Sequence, residues 1–404
     1  MPGQFLSPTG EDLQRIYVDD YNLIDQYAAT GSLWLWGYNT QGVLGDGSSI
    51  VHRSSPIQTV SGGTNWRLVS CGAYHNLAIK TDGTLWTWGN NNSGQLGDGA
   101  SITNRSSPIQ TVSGGTNWKQ VAGGFEYSAA IKTNGALWLW GNNNFGQLGN
   151  NASGTNQSSP VQTVAAGTNW KLVACGRYHT TAIKTDGTLW TWGGAGTPFN
   201  VGQLGDNTTV NKSSPVQTIA GGTNWKLVAC GNFHTTAIKT DGTLWLWGEN
   251  QWGHLGDNTL TKKSSPIQTV SGGTNWRQVA GNSANTMGIK TDGTLWLWGQ
   301  NAYGVLGDNT AVNKSSPVQT IAGGTNWKQV AGSNLQVTAI KTDGTLWTWG
   351  RNDTGQLGVN NIVHRSSPIQ TVAGGTNWKL IGSGGGGSVT AIYFYDAGNL
   401  YPNS

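Results

Sequence analysis

A cysteine and a histidine four residues apart recur at three places, Cys71 and His75, Cys175 and His179, Cys230 and His234, each in a CGxxH segment. A thiol and an imidazole so spaced are raw material for a soft metal site or an activated nucleophile. Neither chemistry closes here. Zinc needs three or four ligands at one point, and each pair belongs to a different copy of a repeat. Tyr127, Asn285 and Gln336 stand where the histidine would be in other copies. A residue interchangeable with Tyr, Asn and Gln is a polar spacer or hydrogen-bond partner, because buried polar groups persist where they satisfy the backbone. The thiols read as reduced and partly buried, and their separation by the repeat implies no disulfide framework.

The other reactive side chains fare no better. His52 and His364 sit in equivalent IVHRSSP segments and would adjoin in a closed ring, but duplication explains the pair better than a shared metal. Asp82, Asp186, Asp241, Asp292 and Asp343 occupy Asp-Gly turns, where the carboxylate serves its own backbone. Asp46, Asp98, Asp206, Asp257 and Asp308 follow an LG dipeptide once per copy, a scaffold pattern. The RSSP serines have no base nearby in sequence, and the Gly-rich runs lack the strand-to-helix context of a phosphate loop. The expectation is no catalytic residue, no metal ligand, no cofactor and no enzyme.

What positions these residues is a repeat. LWxWG occurs seven times, its first tryptophans being Trp34, Trp86, Trp138, Trp190, Trp245, Trp296 and Trp347, a period of 51 to 55 residues. TNW follows about thirty residues after each, at Trp66, Trp118, Trp170, Trp225, Trp276, Trp327 and Trp378. Of the 22 tryptophans only Trp252 lies outside this frame, so the others share a repeated packing role. Within one copy, Arg67–Cys71, Asn76–Lys80 and Leu85–Trp88 alternate as strands, with an Asp-Gly hairpin between the second and third. An Asn- and Gly-rich loop follows, then Ser106-Ser107-Pro108, where Pro marks an edge or a strand start, and Ile109–Val112 reads as the fourth strand. Four short antiparallel strands per copy, seven copies and no 3.6-residue periodicity specify an all-β, seven-bladed β-propeller of four-stranded antiparallel blades. Residues 27–36 match only the second half of the strand motif, and 389–401 supply the missing kind of strand. N- and C-terminal strands should therefore pair in one blade and close the ring. The domains are an acidic arm, 1–26, and the propeller, 27–404.

The string CGNFHTTAIKTDGTLWLWGENQWGHLGDN at Cys230–Asn258 resembles the repeat of the regulator-of-chromosome-condensation family. The resemblance covers roughly residues 31–401 and implies the same seven-bladed propeller. Its members divide into nucleotide exchange factors, chromatin binders, ubiquitin-ligase modules, an inhibitor of β-lactamases and many bacterial proteins, so fold alone does not give function. Exchange factors of the family use a projecting hairpin. The largest insertion here, Gly194–Val201, adds only four residues, which ranks guanine nucleotide exchange last.

Charge and composition narrow the partners. The net +4 combines an arm of −4 over residues 1–30 with a body of +8. The basic residues after each TNW tryptophan, Arg67, Lys119, Lys171, Lys226, Arg277, Lys328 and Lys379, form a ring. Interleaved aspartates argue against a nucleic-acid partner. No secretory signal and no run of 18 apolar residues appears, so no membrane insertion is expected. The residue before the glycine of GQLG varies most: Gln41, Ser93, Phe145, Val201, Trp252, Tyr303 and Thr354. With Phe199 of the insertion, Phe145, Trp252 and Tyr303 are the candidate binding residues, large rigid faces suited to a cell-surface glycan or protein. A second variable site lies at Ala73-Tyr74, Phe125-Glu126, Arg177-Tyr178, Asn232-Phe233 and Asn334-Leu335.

The arm, LQRIYVDDYNLIDQYA, resembles short attachment segments ahead of repeat or fibre domains in tailed-phage virion proteins. Ile16, Tyr17, Tyr21, Leu23 and Ile24 would dock on a protein partner, ordering on contact. The leading reading is a non-enzymatic virion structural or host-attachment propeller located in the virion. The alternative is an intracellular bacterial protein-interaction scaffold in the cytoplasm.

Overall fold

The computed structural model describes residues 31–99, 102–194, 201–333, 335–383 and 388–394. Six blades are continuous in sequence: Trp66–Gln110, Trp118–Gln162, Trp170–Gln217, Trp225–Gln268, Trp276–Gln319 and Trp327–Gln370, here blades 1 to 6. Each is a four-stranded antiparallel meander. Blade 7 is split between the chain ends. Its inner strands are Trp378–Ser383 and Ser388–Phe394, and its outer strands are Gly31–Gly37 and Arg53–Gln58. Seven consecutive residue pairs, from Gly31 opposite Phe394 to Gly37 opposite Ser388, join the halves. The first strands of all blades contact one another in a closed circle around the axis, Trp378–Ser383 against Trp66–Cys71 completing it. The expected all-β seven-bladed propeller and its closure by terminal strands are thus observed. The arm 1–26 and residues 395–404 lie outside the described residues.

One boundary differs from expectation. The fourth strand of blade 1 runs from Arg105 to Gln110 rather than from Ile109 to Val112, and Pro108 lies inside it. This strand is outermost, and the ladder shifts register between Thr87 and Gly89. An edge strand at a bulge can hold a residue that has no N–H to donate, so of the two roles expected of Pro108, edge or strand start, it takes the edge one.

Blades adhere by burying apolar residues in the space between them. Between blades 1 and 2, Leu68, Leu77, Ile79 and Leu85 pack on Trp118, Val121, Ala130 and Trp140. The second tryptophan of LWxWG is fully buried, and its indole reaches into the preceding blade's loop, as with Trp140 Nε1 donating to the Gln95 carbonyl at 2.8 Å. The glycine of the LG dipeptide makes that approach feasible. Gly97 has φ +64°, and a Cβ there would lie 2.7 Å from Trp140 Nε1. In blades 1, 4 and 6 the TNW tryptophan meets both LWxWG rings edge-on or tilted, Trp66 standing 6.2 Å from Trp86 and 6.3 Å from Trp88.

Candidate functional site

Strand polarity sorts the loops onto two ends. The turn between first and second strands and the long loop between third and fourth emerge together, at what we call the upper end. The Asp-Gly turns, the starts of the TNW strands and the junctions with residues 1–30 and 395–404 lie at the lower end.

The recurring histidine opens the second strand at the upper end and is fully buried. His75 Nε2 lies 2.9 Å from Ser128 Oγ in the next blade, and Ser128 Oγ donates to the Gln95 carbonyl at 2.7 Å. His179 meets Thr235 at 3.0 Å, and His234 meets Thr286 at 3.1 Å, with the same onward donation to Gln203 and His254 carbonyls. Since each hydroxyl spends its proton on a carbonyl, Nε2 must carry the imidazole proton. Burial pushes His75 and His179 down to about 3 and His254 to about 4, and holds His234 well below its ordinary value. His75, His179 and His234 are neutral clasps between blades, whereas the His254 ring packs against His234, centroids 4.6 Å apart. Tyr127 takes over the role by donating its hydroxyl to the His179 carbonyl of the next blade.

The other polar groups also serve the scaffold. Burial drives the Cys230 thiol up to about 12 and raises Cys175 further, so neither is a thiolate nucleophile near neutrality. Asp82 Oδ1 accepts from the Thr84 amide and hydroxyl within its own turn. Asp98 accepts from Asn91 at 3.1 Å and pairs with Arg105 at 2.9 Å. His52 Nδ1 accepts from the Asn39 amide, and His364 Nδ1 from the Asn352 amide, each in its own loop. Among the described residues no three His, Cys, Asp or Glu side chains converge as metal ligands.

The aromatic candidates behave differently from one another. Phe145 packs edge-on against Tyr178, ring centroids 4.9 Å apart. Tyr178 in turn neighbours Phe125 at 5.9 Å and Phe233 at 6.3 Å, while Phe125 neighbours Tyr74 at 5.7 Å and Tyr74 neighbours Tyr38 at 6.2 Å. Arg177 lies over this run, 4.3 Å from the Phe125 centroid. The result is a continuous, half-buried aromatic arc across blades 7, 1, 2, 3 and 4, bordering an axial cavity of about 270 Å³. Tyr303, 44% exposed, stands apart against His364 at 4.7 Å, with the Arg351 guanidinium 5.7 Å away. Trp252 is half-buried, and Phe199 lies outside the described residues. The two variable sites of the repeat therefore converge on one end. Tyr74, Phe125, Arg177, Tyr178 and Phe233 belong to the second variable site but not to the candidate binding residues, and Tyr38 belongs to neither. Their signal is departure from the repeat, Tyr38 standing where Asn90 stands in the next copy.

A closed ring of seven four-stranded antiparallel blades defines a seven-bladed β-propeller. The Regulator of chromosome condensation (RCC1) repeat matches residues 30–79, 82–131, 134–183, 186–238, 241–289, 292–340 and 343–391. The chain belongs to this family. It is 33% identical over 340 residues to the Ultraviolet-B receptor UVR8 of Arabidopsis thaliana, covering 82% of this chain and 76% of the receptor. It is 27% identical over 376 residues to the mitochondrial RCC1 domain-containing protein RUG3 of the same plant, covering 86% and 84%. Human HERC4, a probable E3 ubiquitin-protein ligase, is 33% identical over 211 residues, a match covering 52% of this chain and 19% of HERC4. The fold is that of Prp20p from Saccharomyces cerevisiae, studied for binding to Gsp1p and histones, with a TM-score of 0.79 at 19% identity over 92% and 93% of the two chains. No helix among the described residues is long and apolar enough to cross a membrane.

Proposed function

We propose that the protein is a non-enzymatic binding propeller whose upper end holds a protein or glycan and whose arm, 1–26, fixes it to a larger assembly, a phage virion. The observation that carries the binding role is the convergence of both variable sites on one end as a joined aromatic arc with Arg177 inserted. Copies of the repeat that serve only the scaffold have no reason to differ there. Large aromatics beside a guanidinium are the composition of binding hot spots. The CGxxH histidines bond to the next blade, burial raises the Cys230 thiol and Asp98 bonds within its own loop, which supports a role without catalysis. The assembly role draws on the arm's alternating aromatic and acidic residues.

Pull-down on host cells and on purified particles tests the division of labour. Trp252→Ala, Tyr303→Ala and Phe145→Ala should each weaken capture by cells by about 2 kcal/mol or more if they are hot spots, while leaving particle assembly intact. Deleting residues 1–26 should do the reverse. Assembly by the arm-deleted chain would sink the attachment role, and undiminished cell capture by all three alanine variants would sink the ligand face.

A further inference from the structure

The propeller's excess positive charge is confined to its lower end. Every basic residue after a TNW tryptophan starts an innermost strand there. Six more lysines, from Lys80 to Lys341, end second strands at the same level, each ammonium resting over two indole rings such as Trp66 and Trp86. Among the described residues five carboxylates stand against these thirteen cations, all in Asp-Gly turns and bound to their own threonines. At the upper end the loop aspartates face Arg or Lys partners instead, as with Asp46 and Arg53 at 2.9 Å. Lys119, Lys171, Lys328 and Lys379 pair with no carboxylate among the described residues. Lys171 and Lys226 flank a crevice of about 280 Å³ between blades 3 and 4, where Asp186 is the one acid. Lys328 is held below its ordinary pKa by burial and by the neighbouring Lys379 and Arg277.

The chain carries a segment of opposite sign that enters at this end. Gly31 occupies the position that Gly83 fills in the Asp-Gly turn of blade 1, and it bridges to Trp66, the neighbour of Arg67. Residues 1–30 therefore join the propeller at the rim of the cationic mouth, with a net charge of −4. Reach is sufficient. The third strand lies two strand spacings, about 10 Å, from the innermost one. Asp25 is six Cα–Cα steps from Gly31, a span of up to about 20 Å, and Asp19 and Asp20 reach about 40 Å.

We propose that the acidic segment 1–30 docks in cis across the cationic lower mouth of its own propeller. Docking of this kind needs no particle, so it stands apart from the attachment role. It would also place a threshold on that role, since a partner of the arm must displace it from the ring. Low charge elsewhere leaves the mouth as the strongest local field available to those carboxylates.

Zero-length carbodiimide cross-linking of the full chain, read by mass spectrometry, tests this directly. The expected links join Asp19, Asp20 or Asp25 to Lys119, Lys171, Lys226, Lys328 or Lys379. Their yield should fall at least fivefold in 1 M salt, where the screening length is about 3 Å. A mixture of isotopically light and heavy chains should give links within one isotope only. Links to Lys212, Lys263 or Lys314 of the upper end, links between light and heavy chains, or no arm links at low salt would each overturn the proposal.

Discussion

Acidification from pH 8 to pH 5 should destabilise this protein far more than carboxylate titration alone allows. His75, His179 and His254 are fully buried and held at about 3, 3 and 4, against about 6.5 in an unfolded chain. Between those values the unfolded chain binds a proton that the folded chain refuses. Stability therefore falls as pH drops below 6.5 and is fully present only above it. At pH 5 the penalty is RT ln(1 + 10^1.5), about 2 kcal/mol per histidine, nearly independent of how far below 5 the folded value lies. Three such groups give about 6 kcal/mol, and His234 acts in the same direction. That is comparable with the whole stability of a typical domain. The depressed aspartates contribute only nearer pH 4, which leaves the interval from 8 to 5 to the histidines. Urea unfolding followed by the fluorescence of the 22 tryptophans measures the loss. His179→Asn supplies the control, since Asn285 fills the same position in blade 5. At pH 8 the variant should be less stable by about 1 kcal/mol, for the hydrogen bond to Thr235. At pH 5 it should have recovered about 2 kcal/mol relative to the parent. Equal stability of the parent at both pH values, or an unchanged loss in the variant, would refute the neutral-clasp assignment.

Truncation after Ser383 removes the strand Ser388–Phe394 and leaves Gly31–Gly37 without its inner partner, so aggregation or loss of cooperative melting should follow, read by light scattering and calorimetry. Gly97→Ala places a Cβ against Trp140 at positive φ and should cost roughly 2 to 4 kcal/mol in denaturant midpoint experiments. His179→Asn should leave metal content by mass spectrometry unchanged, because the ring nitrogen faces Thr235; stoichiometric zinc lost on substitution would contradict this. Tyr127→Phe should cost about 1 kcal/mol through loss of the hydroxyl that reaches blade 3, without altering pH dependence between 8 and 5.

The architecture was legible because it is written seven times: LWxWG and TNW recur in register, and period-two alternation with an Asp-Gly hairpin leaves one strand order. The split closing blade was legible too, since YAATGSLWLW and VTAIYFY are complementary halves of one motif. The bounds of the outer strand are not legible, because Pro108 suits both an edge and a strand start, and the strand contains it rather than following it. The binding end was only half legible. Phe145 and Tyr178 are 33 residues apart in sequence, and nothing in composition shows that the two variable sites meet. That follows from strand polarity, which sends both loops to one end, and from side-chain contacts between blades. Phe199 and the arm residues Ile16, Tyr17, Tyr21, Leu23 and Ile24 fall outside the described residues.

Closing the ring with strands from both chain ends has a consequence in time. During synthesis the strand Gly31–Gly37 emerges early, yet its inner partner Ser388–Phe394 is made about 350 residues later. At about 5 to 20 residues per second, that interval is roughly 20 to 70 s. Throughout it, a strand reading LWLW presents an unsatisfied edge on the ribosome while six complete blades assemble behind it. The chain's vulnerable period is thus set by gene length rather than by folding rate. A slower ribosome lengthens the exposure, whereas moving both termini to a junction between whole blades would remove it.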